Sequence, residues 1–275
     1  MDRKDLGDKV VIVTGASTGI GRATAVAFRR AGARVVVAAR SRPQLESLAE
    51  QLGGPSVALA HALDVAEETQ CRQLIEHTVA HFGGIDVLIN NAGMVVSGRF
   101  EHLQPGDVER QFAVNLFGVV YCTRAALPYL KQSRGVVVNV SSVAGLIGTP
   151  TTGAYGASKA ALNALGRALW AELQPYGVGV VTVCPYFTSG VQLAQKAIIR
   201  GGSPHRRETP ARRAPGTQTA EQVAEIIVDA ACRRPRLVVL SPFGRLVWRL
   251  DRLAPWLVDY LMQQVINGRL RSLLR

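Results

Sequence analysis

The amino-acid sequence predicts an α/β protein, a doubly wound parallel sheet with helices on both faces. Three observations predict it. Short Val-rich runs are apolar almost throughout, longer helical patterns lie between them, and short connections let the two alternate over the first 185 residues. Near-continuous apolar strands are what a parallel sheet covered on both faces requires. Right-handed crossovers between such strands then place helices on either side, giving three layers.

The elements follow in order. Val10–Val13 opens the series and a helix over Ile20–Ala31 follows it. Arg34–Ala39 is the second strand and Gln44–Gln51 a short helix. Val57–Leu63 and Val87–Asn90 are the third and fourth strands, with a helix at Glu67–Phe82 between them. One long helix, Asp107–Lys131, leads to Val136–Val140, and a second, Ala154–Tyr176, leads to Val178–Val183. From Arg200 to Gln218 the alternation stops in a basic loop with several Gly and Pro residues, and loops of this length in compact domains usually carry function. Thr219 caps a helix to about Arg233, and Leu237–Leu240 is a last strand. These elements make one domain, residues 1–242, with a substrate loop at about 186–218.

Residues 243–275 read as an amphipathic helical extension interrupted at Pro255. Arg245, Arg249 and Arg252 share a face there, and Leu246, Leu250, Leu253 and Trp256 form another stripe. Two placements fit. The extension packs on the body, over the cleft or a subunit boundary, or it makes peripheral contact with an anionic membrane.

Charge points the same way. The chain has 275 residues and a net charge of +12. Residues 200–275 hold 14 Arg, no Lys and 6 acids, a balance of +8. The last quarter is therefore the part suited to an anionic surface. At 48% hydrophobic and 19% charged residues the chain is not a disordered one. No run is long and apolar enough for an ordinary spanning helix. Met1–Lys9 is charged, without a secretory core, and Cys71, Cys122, Cys184 and Cys232 are too scattered for a zinc site or disulfide scaffold. The expectation is a cytoplasmic chain, associated if anywhere with the inner face of a membrane. No metal site is expected, since the five His have no ligand spacing. Nucleic-acid binding has only charge behind it and no recognition module.

The first strand runs into Thr14-Gly15-Ala16-Ser17-Thr18-Gly19-Ile20-Gly21-Arg22. Glycines there permit a tight turn and close backbone approach, and the helix that follows presents its N-terminus to a pyrophosphate. The second strand ends in Ala38-Ala39-Arg40-Ser41-Arg42, with no acid to receive ribose hydroxyls. Arg40 can instead fork onto a 2′-phosphate, which favours NADP(H) over NAD(H). Tyr155-Gly156-Ala157-Ser158-Lys159 places a phenol and an ammonium at i and i+4, on one face of a helix. A cation there stabilises a tyrosinate and lowers a pKa that starts near 10. Asn90-Asn91-Ala92-Gly93 ends the fourth strand, Asn115 lies in the following helix, and Ser141-Ser142 ends the fifth strand. All fall at the carboxyl ends of strands, where a doubly wound sheet binds ligands.

Taken together, Thr14–Gly21, Asp64, Asn90–Gly93, Asn115, Ser142, Tyr155 and Lys159 resemble the short-chain dehydrogenase/reductase family, over roughly residues 7–240. The resemblance implies a Rossmann-type fold and hydride transfer between a nicotinamide and a hydrophobic ketone or secondary alcohol, steroid-, lipid- or 3-oxoacyl-like. It implies Tyr155 as general acid or base, Ser142 as the hydroxyl that orients the substrate, Lys159 on the nicotinamide ribose, and Asn115 positioning a water in a relay to Lys159. Gly15, Ser17, Thr18, Gly19, Ile20, Gly21, Arg40, Asp64, Val65, Asn91, Ala92, Gly93, Pro185 and Thr188 would line the cofactor site, Asp64 at the adenine. A homodimer or homotetramer through residues 107–131 and 154–176 is also implied. One departure stands out. Where the family has Pro-Gly and a Thr five residues after the Pro, this chain has Pro185-Tyr186 and Gly190. Tyr186 and Phe187 either line the pocket or pack as core. The competing reading is a catalytically weak, cofactor-sensing or membrane-surface protein on the same fold.

Overall fold

A computed structural model describes residues 6–189, 197–201 and 216–267. Gly190, most of the basic loop and residues 268–275 lie outside the described residues. Seven parallel strands form the central sheet: β1 Val10–Thr14, β2 Arg34–Ala39, β3 Ala58–Ala62, β4 Val87–Asn90, β6 Val136–Val140, β7 Gly179–Cys184 and β11 Leu237–Val239. Their order is β11-β7-β6-β4-β1-β2-β3. The order reverses direction between β1 and β4, and a crevice at that switch point is where this architecture holds ligands.

The helices are α1 Gly19–Arg30, α2 Arg42–Gln51, α3 Glu68–Phe82, α4 Pro105–Phe112, α5 Gly118–Ser133, α6 Gly153–Glu172, α7 Ala220–Arg233, α8 Pro242–Leu253 and α9 Pro255–Ile266. Alternate residues of the strands feed the two sides of the sheet. Val11, Val13, Val35 and Val37 join Phe28 of α1 and Val223, Ile227 and Val228 of α7 in one buried cluster. Ile12, Val36, Leu88 and Val137 join Leu74 and Ile75 of α3 and Cys122, Ala126 and Leu130 of α5 in the other. Valine suits both roles, since its branched Cβ packs on a pleated surface and both faces are covered.

One predicted helix is continuous but carries a π turn. The stretch expected to run unbroken over Asp107–Lys131 is α4 and α5 joined by a π-helical turn, Ala113–Phe117. A π turn widens the backbone by one residue and redirects a side chain, here Asn115. Two short strand pairs were also not foreseen. Val96–Ser97 (β5) pairs with Ile198–Ile199 (β9), and Thr188–Ser189 (β8) with Gln218–Thr219 (β10). Among the described residues of the extension, α8 and α9 are helical and meet at a break before Pro255.

Candidate active site

β1 ends at Thr14 and α1 begins at Gly19. Gly15 and Gly19 have φ of 66° and 56°, values that favour glycine. Gly21 is needed for space. A Cβ there would lie 2.3 Å from the Gly15 carbonyl oxygen and 2.4 Å from Asn91 Nδ2. Thr18 precedes the helix without a side-chain cap, and the first turn holds no acid. The opening N–H groups and the positive end of the helix dipole are thus left for an anion.

Thr14 ties this turn to the next strand. Its hydroxyl donates to the Ile89 carbonyl at 3.2 Å and accepts from the N–H groups of Asn91 and Ala92 at 3.0 and 3.1 Å. That uses the full capacity of a hydroxyl. Asn91 Nδ2 donates back to the Thr14 carbonyl at 2.9 Å and the Gly15 carbonyl at 3.3 Å. The predicted cofactor residues Gly15, Gly21, Asn91 and Ala92 therefore form one rigid wall.

Arg40 is exposed at the end of β2 and, among the described residues, has no hydrogen-bond or ion-pair partner. A phosphate-binding arginine requires such freedom. Asp64 is differently placed. One of its oxygens pairs with Arg110, and the other accepts from the Ala66 N–H at 3.0 Å. Val65 is buried against α5, where a Cβ on Gly118 would come within 2.9 Å of it.

Asn115 is fully buried. Its Oδ1 accepts from the Met94 N–H at 2.9 Å, and its Nδ2 donates to the Met94 carbonyl and to Ser158 Oγ, both at 3.0 Å. Ser158 Oγ in turn donates to the Tyr155 carbonyl at 2.8 Å. Asn115 thus pins the loop after β4, at Met94, to the helix that carries Tyr155. It stands close to Lys159 as well, because an ideal Cβ on Gly93 would lie 3.3 Å from Asn115 Oδ1 and 3.7 Å from Lys159 Nζ.

The turn after β6 brings the remaining groups together. Ser142 Oγ accepts from the Ala144 N–H at 3.1 Å and stands close enough to the Tyr155 phenol to influence its pKa. Helix α6 sits tightly on this turn. A Cβ on Gly145 would meet the Lys159 backbone at 2.5 Å, and one on Gly156 would meet the Ala144 carbonyl oxygen at 2.9 Å. Asn163 Nδ2 seals the contact on the Gly145 carbonyl at 2.9 Å. Lys159 is buried and donates from Nζ to the Val140 carbonyl at 2.9 Å.

Burial lowers the Lys159 pKa to about 8, with a smaller opposing effect of Cys184. Tyr155 is half-buried, and burial raises its pKa. Ser142 opposes that rise and Cys184 adds to it. Desolvation is the largest cause of this shift and Lys159 is not among its causes, so the expected lowering of the phenol by Lys159 is not seen. Burial also pushes the Cys184 thiol up to about 12, so it stays neutral beside them.

Sequence reasoning missed the supporting residues Ser158, Gly145, Gly156, Asn163 and Arg110. Gly156 and Ser158 lay within the Tyr-x3-Lys run; the others carried no local signal.

The departure at Tyr186 is resolved in part. Pro185 accepts the Val143 N–H through its carbonyl at 3.0 Å. Tyr186 is half-buried, 4.7 Å from the Phe187 ring and 5.7 Å from the Phe243 ring of α8. Gly244 of α8 faces Val143 and Tyr186, where an added Cβ would have 3.3 and 3.5 Å of room. Val247 and Trp248 pack on the same cluster of Val143, Ile147 and Cys184. Tyr186 packs against the extension, and the extension leans on the turn next to Ser142. Thr188, through β8, is held to Gln218.

The other candidates stay apart from this site. Asn139, which opens the Asn139-Val140-Ser141 glycosylation sequon, is fully buried in β6. His61 and His77 meet at 3.0 Å between their Nδ1 atoms, yet among the described residues no group of three metal-ligating side chains forms. All four cysteines are buried and none is in a disulfide.

The sequence matches the short chain dehydrogenase family over residues 9–198. It is 35% identical to 11-beta-hydroxysteroid dehydrogenase 1A of Arabidopsis thaliana over 268 residues, covering 94% of this chain and 75% of that one. The 11-beta-hydroxysteroid dehydrogenase A of Sesamum indicum is 32% identical, with 94% and 76% covered. Among solved structures, a short-chain dehydrogenase from Streptomyces avermitilis superposes with a TM-score of 0.79 at 32% identity, over 95% of this chain and 98% of that one. An alcohol dehydrogenase from Thermococcus sibiricus, complexed with 5-hydroxy-NADP, does so with a TM-score of 0.72 at 26% identity, over 85% and 96%. The chain belongs to the short-chain dehydrogenase/reductase family and is an oxidoreductase.

Proposed function

We propose that the protein is an NADP(H)-dependent oxidoreductase acting on a hydrophobic ketone or secondary alcohol. The observation that carries the reading is the grouping of Ser142, Tyr155, Lys159 and Asn115 beside a glycine cradle that any Cβ would fill. When bound, the nicotinamide supplies or takes up the hydride, and the chain supplies geometry and the proton. Gly15, Ser17, Thr18, Gly19, Ile20 and Gly21 hold the pyrophosphate, with Asn91, Ala92, Gly93, Val65, Pro185 and Thr188 lining the cleft and Asp64 near the adenine. Arg40, free at the end of β2, takes the 2′-phosphate. In reduction, Ser142 orients the substrate oxygen and Tyr155 gives it a proton; in oxidation Tyr155 takes one back. Lys159 holds ribose hydroxyls, and Asn115 orients the helix that carries both. The proposed setting is cytoplasmic, as a homodimer or homotetramer through α4, α5 and α6.

The test is a panel of steroid, long-chain and 3-oxoacyl ketones and alcohols, assayed with NADPH or NADP and separately with NADH or NAD. Turnover of an apolar member with the phosphorylated cofactor is expected. Equal or better turnover with NADH overturns the cofactor assignment, and silence across the panel overturns the reaction.

A further inference from the structure

Helix α8 has an inner side already described, formed by Gly244, Val247 and Trp248. Its outer side is unusual for a surface helix. With about 100° per residue, Leu246 and Leu253 fall close together, and Arg245, Arg249 and Arg252 lie along one flank of them. Asp251, the helix's single acid, lies on the opposite side. Leu246 is 61% exposed and Leu253 85%. Just beyond the bend, Trp256 and Tyr260 of α9 are 71% and 55% exposed. Two hollows border this face. One, of about 460 Å³, is lined by Arg236, Leu237, Val238, Val239, Arg245 and Trp248. The other, of about 410 Å³, is lined by Pro242, Arg245, Leu246 and Arg249. Each joins guanidinium groups to apolar walls.

We propose that this face of α8 and α9 is a docking surface for an anionic lipid bilayer. Leu246, Leu253 and Trp256 would enter the acyl boundary and Tyr260 the headgroup level. Arg245, Arg249 and Arg252, joined by Arg236, would meet lipid phosphates, their stems lying along the apolar surface. Charge decides the occupant. A second copy docked by two-fold symmetry on this face would bring the same guanidinium groups toward one another, whereas lipid phosphates neutralise them. Among the described residues no helix is long and apolar enough to cross a membrane, so the contact is peripheral. The docked face lies on the helix whose inner side packs against Val143 and Tyr186, so the bilayer lies alongside the substrate side of the site.

The test uses the full chain and sedimentation with vesicles of phosphatidylcholine, alone or mixed with phosphatidylglycerol. Binding to the mixed vesicles only, weakening with salt, is expected. Arg245→Glu, Arg249→Glu and Arg252→Glu should each weaken it by about fivefold or more, from roughly 1 kcal/mol per basic residue at an anionic surface. A Leu253→Ser, Trp256→Ser double variant should lose the vesicle-induced blue shift of tryptophan emission. Far-ultraviolet circular dichroism of each variant checks that it folds. Wild-type chain left in the supernatant, or binding unchanged in the arginine variants, overturns the proposal. So does an oligomer that the Leu253→Ser, Trp256→Ser variant dissociates, which would make the face a contact between copies. None of these outcomes bears on the cofactor or the reaction, which soluble assays test separately.

Discussion

Replacing Lys159 by Met separates what this residue does for the fold from what it does for the chemistry. The lysine is buried and its pKa falls to about 8 from an ordinary 10.5. At about 1.36 kcal/mol per pKa unit, holding the ammonium inside costs the folded state about 3 kcal/mol at neutral pH. The bond to the Val140 carbonyl offsets part of any gain on removal, since that carbonyl would be left unpaired at about 1–3 kcal/mol. Lys159→Met is therefore expected to be as stable as the wild type at pH 7, or slightly more so.

The pH dependence is sharper. A basic group with a depressed folded-state pKa leaves the unfolded chain holding more protons between the two values, so stability rises with pH there. The penalty is complete below pH 8 and fades as pH climbs toward 10.5. Cys184, with its pKa near 12, stays neutral over that range. Urea unfolding of the pair should show wild type gaining about 2 kcal/mol on Lys159→Met between about pH 7 and 9.5. Turnover in the variant should collapse although it folds. A variant several kcal/mol less stable at pH 7, with a gap that does not move with pH, would show that Lys159 is a structural residue and refute the reasoning.

Two further outcomes follow from the same geometry. Arg40→Ala should weaken NADPH binding by about tenfold to a hundredfold, the worth of hydrogen bonds to a charged group, and leave NADH binding unchanged in a fluorescence titration. Tyr186→Ala should cost about 1–2 kcal/mol, less than a fully buried aromatic, and expose α8 and α9 to limited proteolysis while leaving residues 6–185 resistant.

The sheet was legible because each strand carries its own signal. Arg34–Ala39, Val87–Asn90 and Val136–Val140 have the predicted bounds, since a strand covered on both faces is apolar over most of its length. Helix α7 starts at Ala220 behind the cap read at Thr219, whose hydroxyl accepts from the Gln222 N–H at 3.2 Å. The π turn at Asn115 was not legible. Nothing in Phe112–Gly118 forbids a continuous α-helix, and the π turn answers to the tertiary bonds of Asn115 with Met94 and Ser158. The short pairs β5–β9 and β8–β10 join segments distant in sequence and too brief to show a period. At the site, Tyr155, Lys159, Ser142 and the glycines were legible by spacing. The direction of the Tyr155 shift was not, because desolvation depends on what surrounds the hydroxyl and not on its helical neighbour. The leucine stripe of α8 was visible, but which of its members face outward was decided by packing on Tyr186 and Val143.

The central claim is that Tyr155 carries the proton of the reaction. Its most direct test is Tyr155→Phe, assayed with NADPH and a ketone that the wild type reduces, beside a titration of NADPH binding. The account predicts a loss of about 10²–10⁴-fold in kcat, with NADPH bound as tightly as before. Turnover at the wild-type rate in that variant would contradict it.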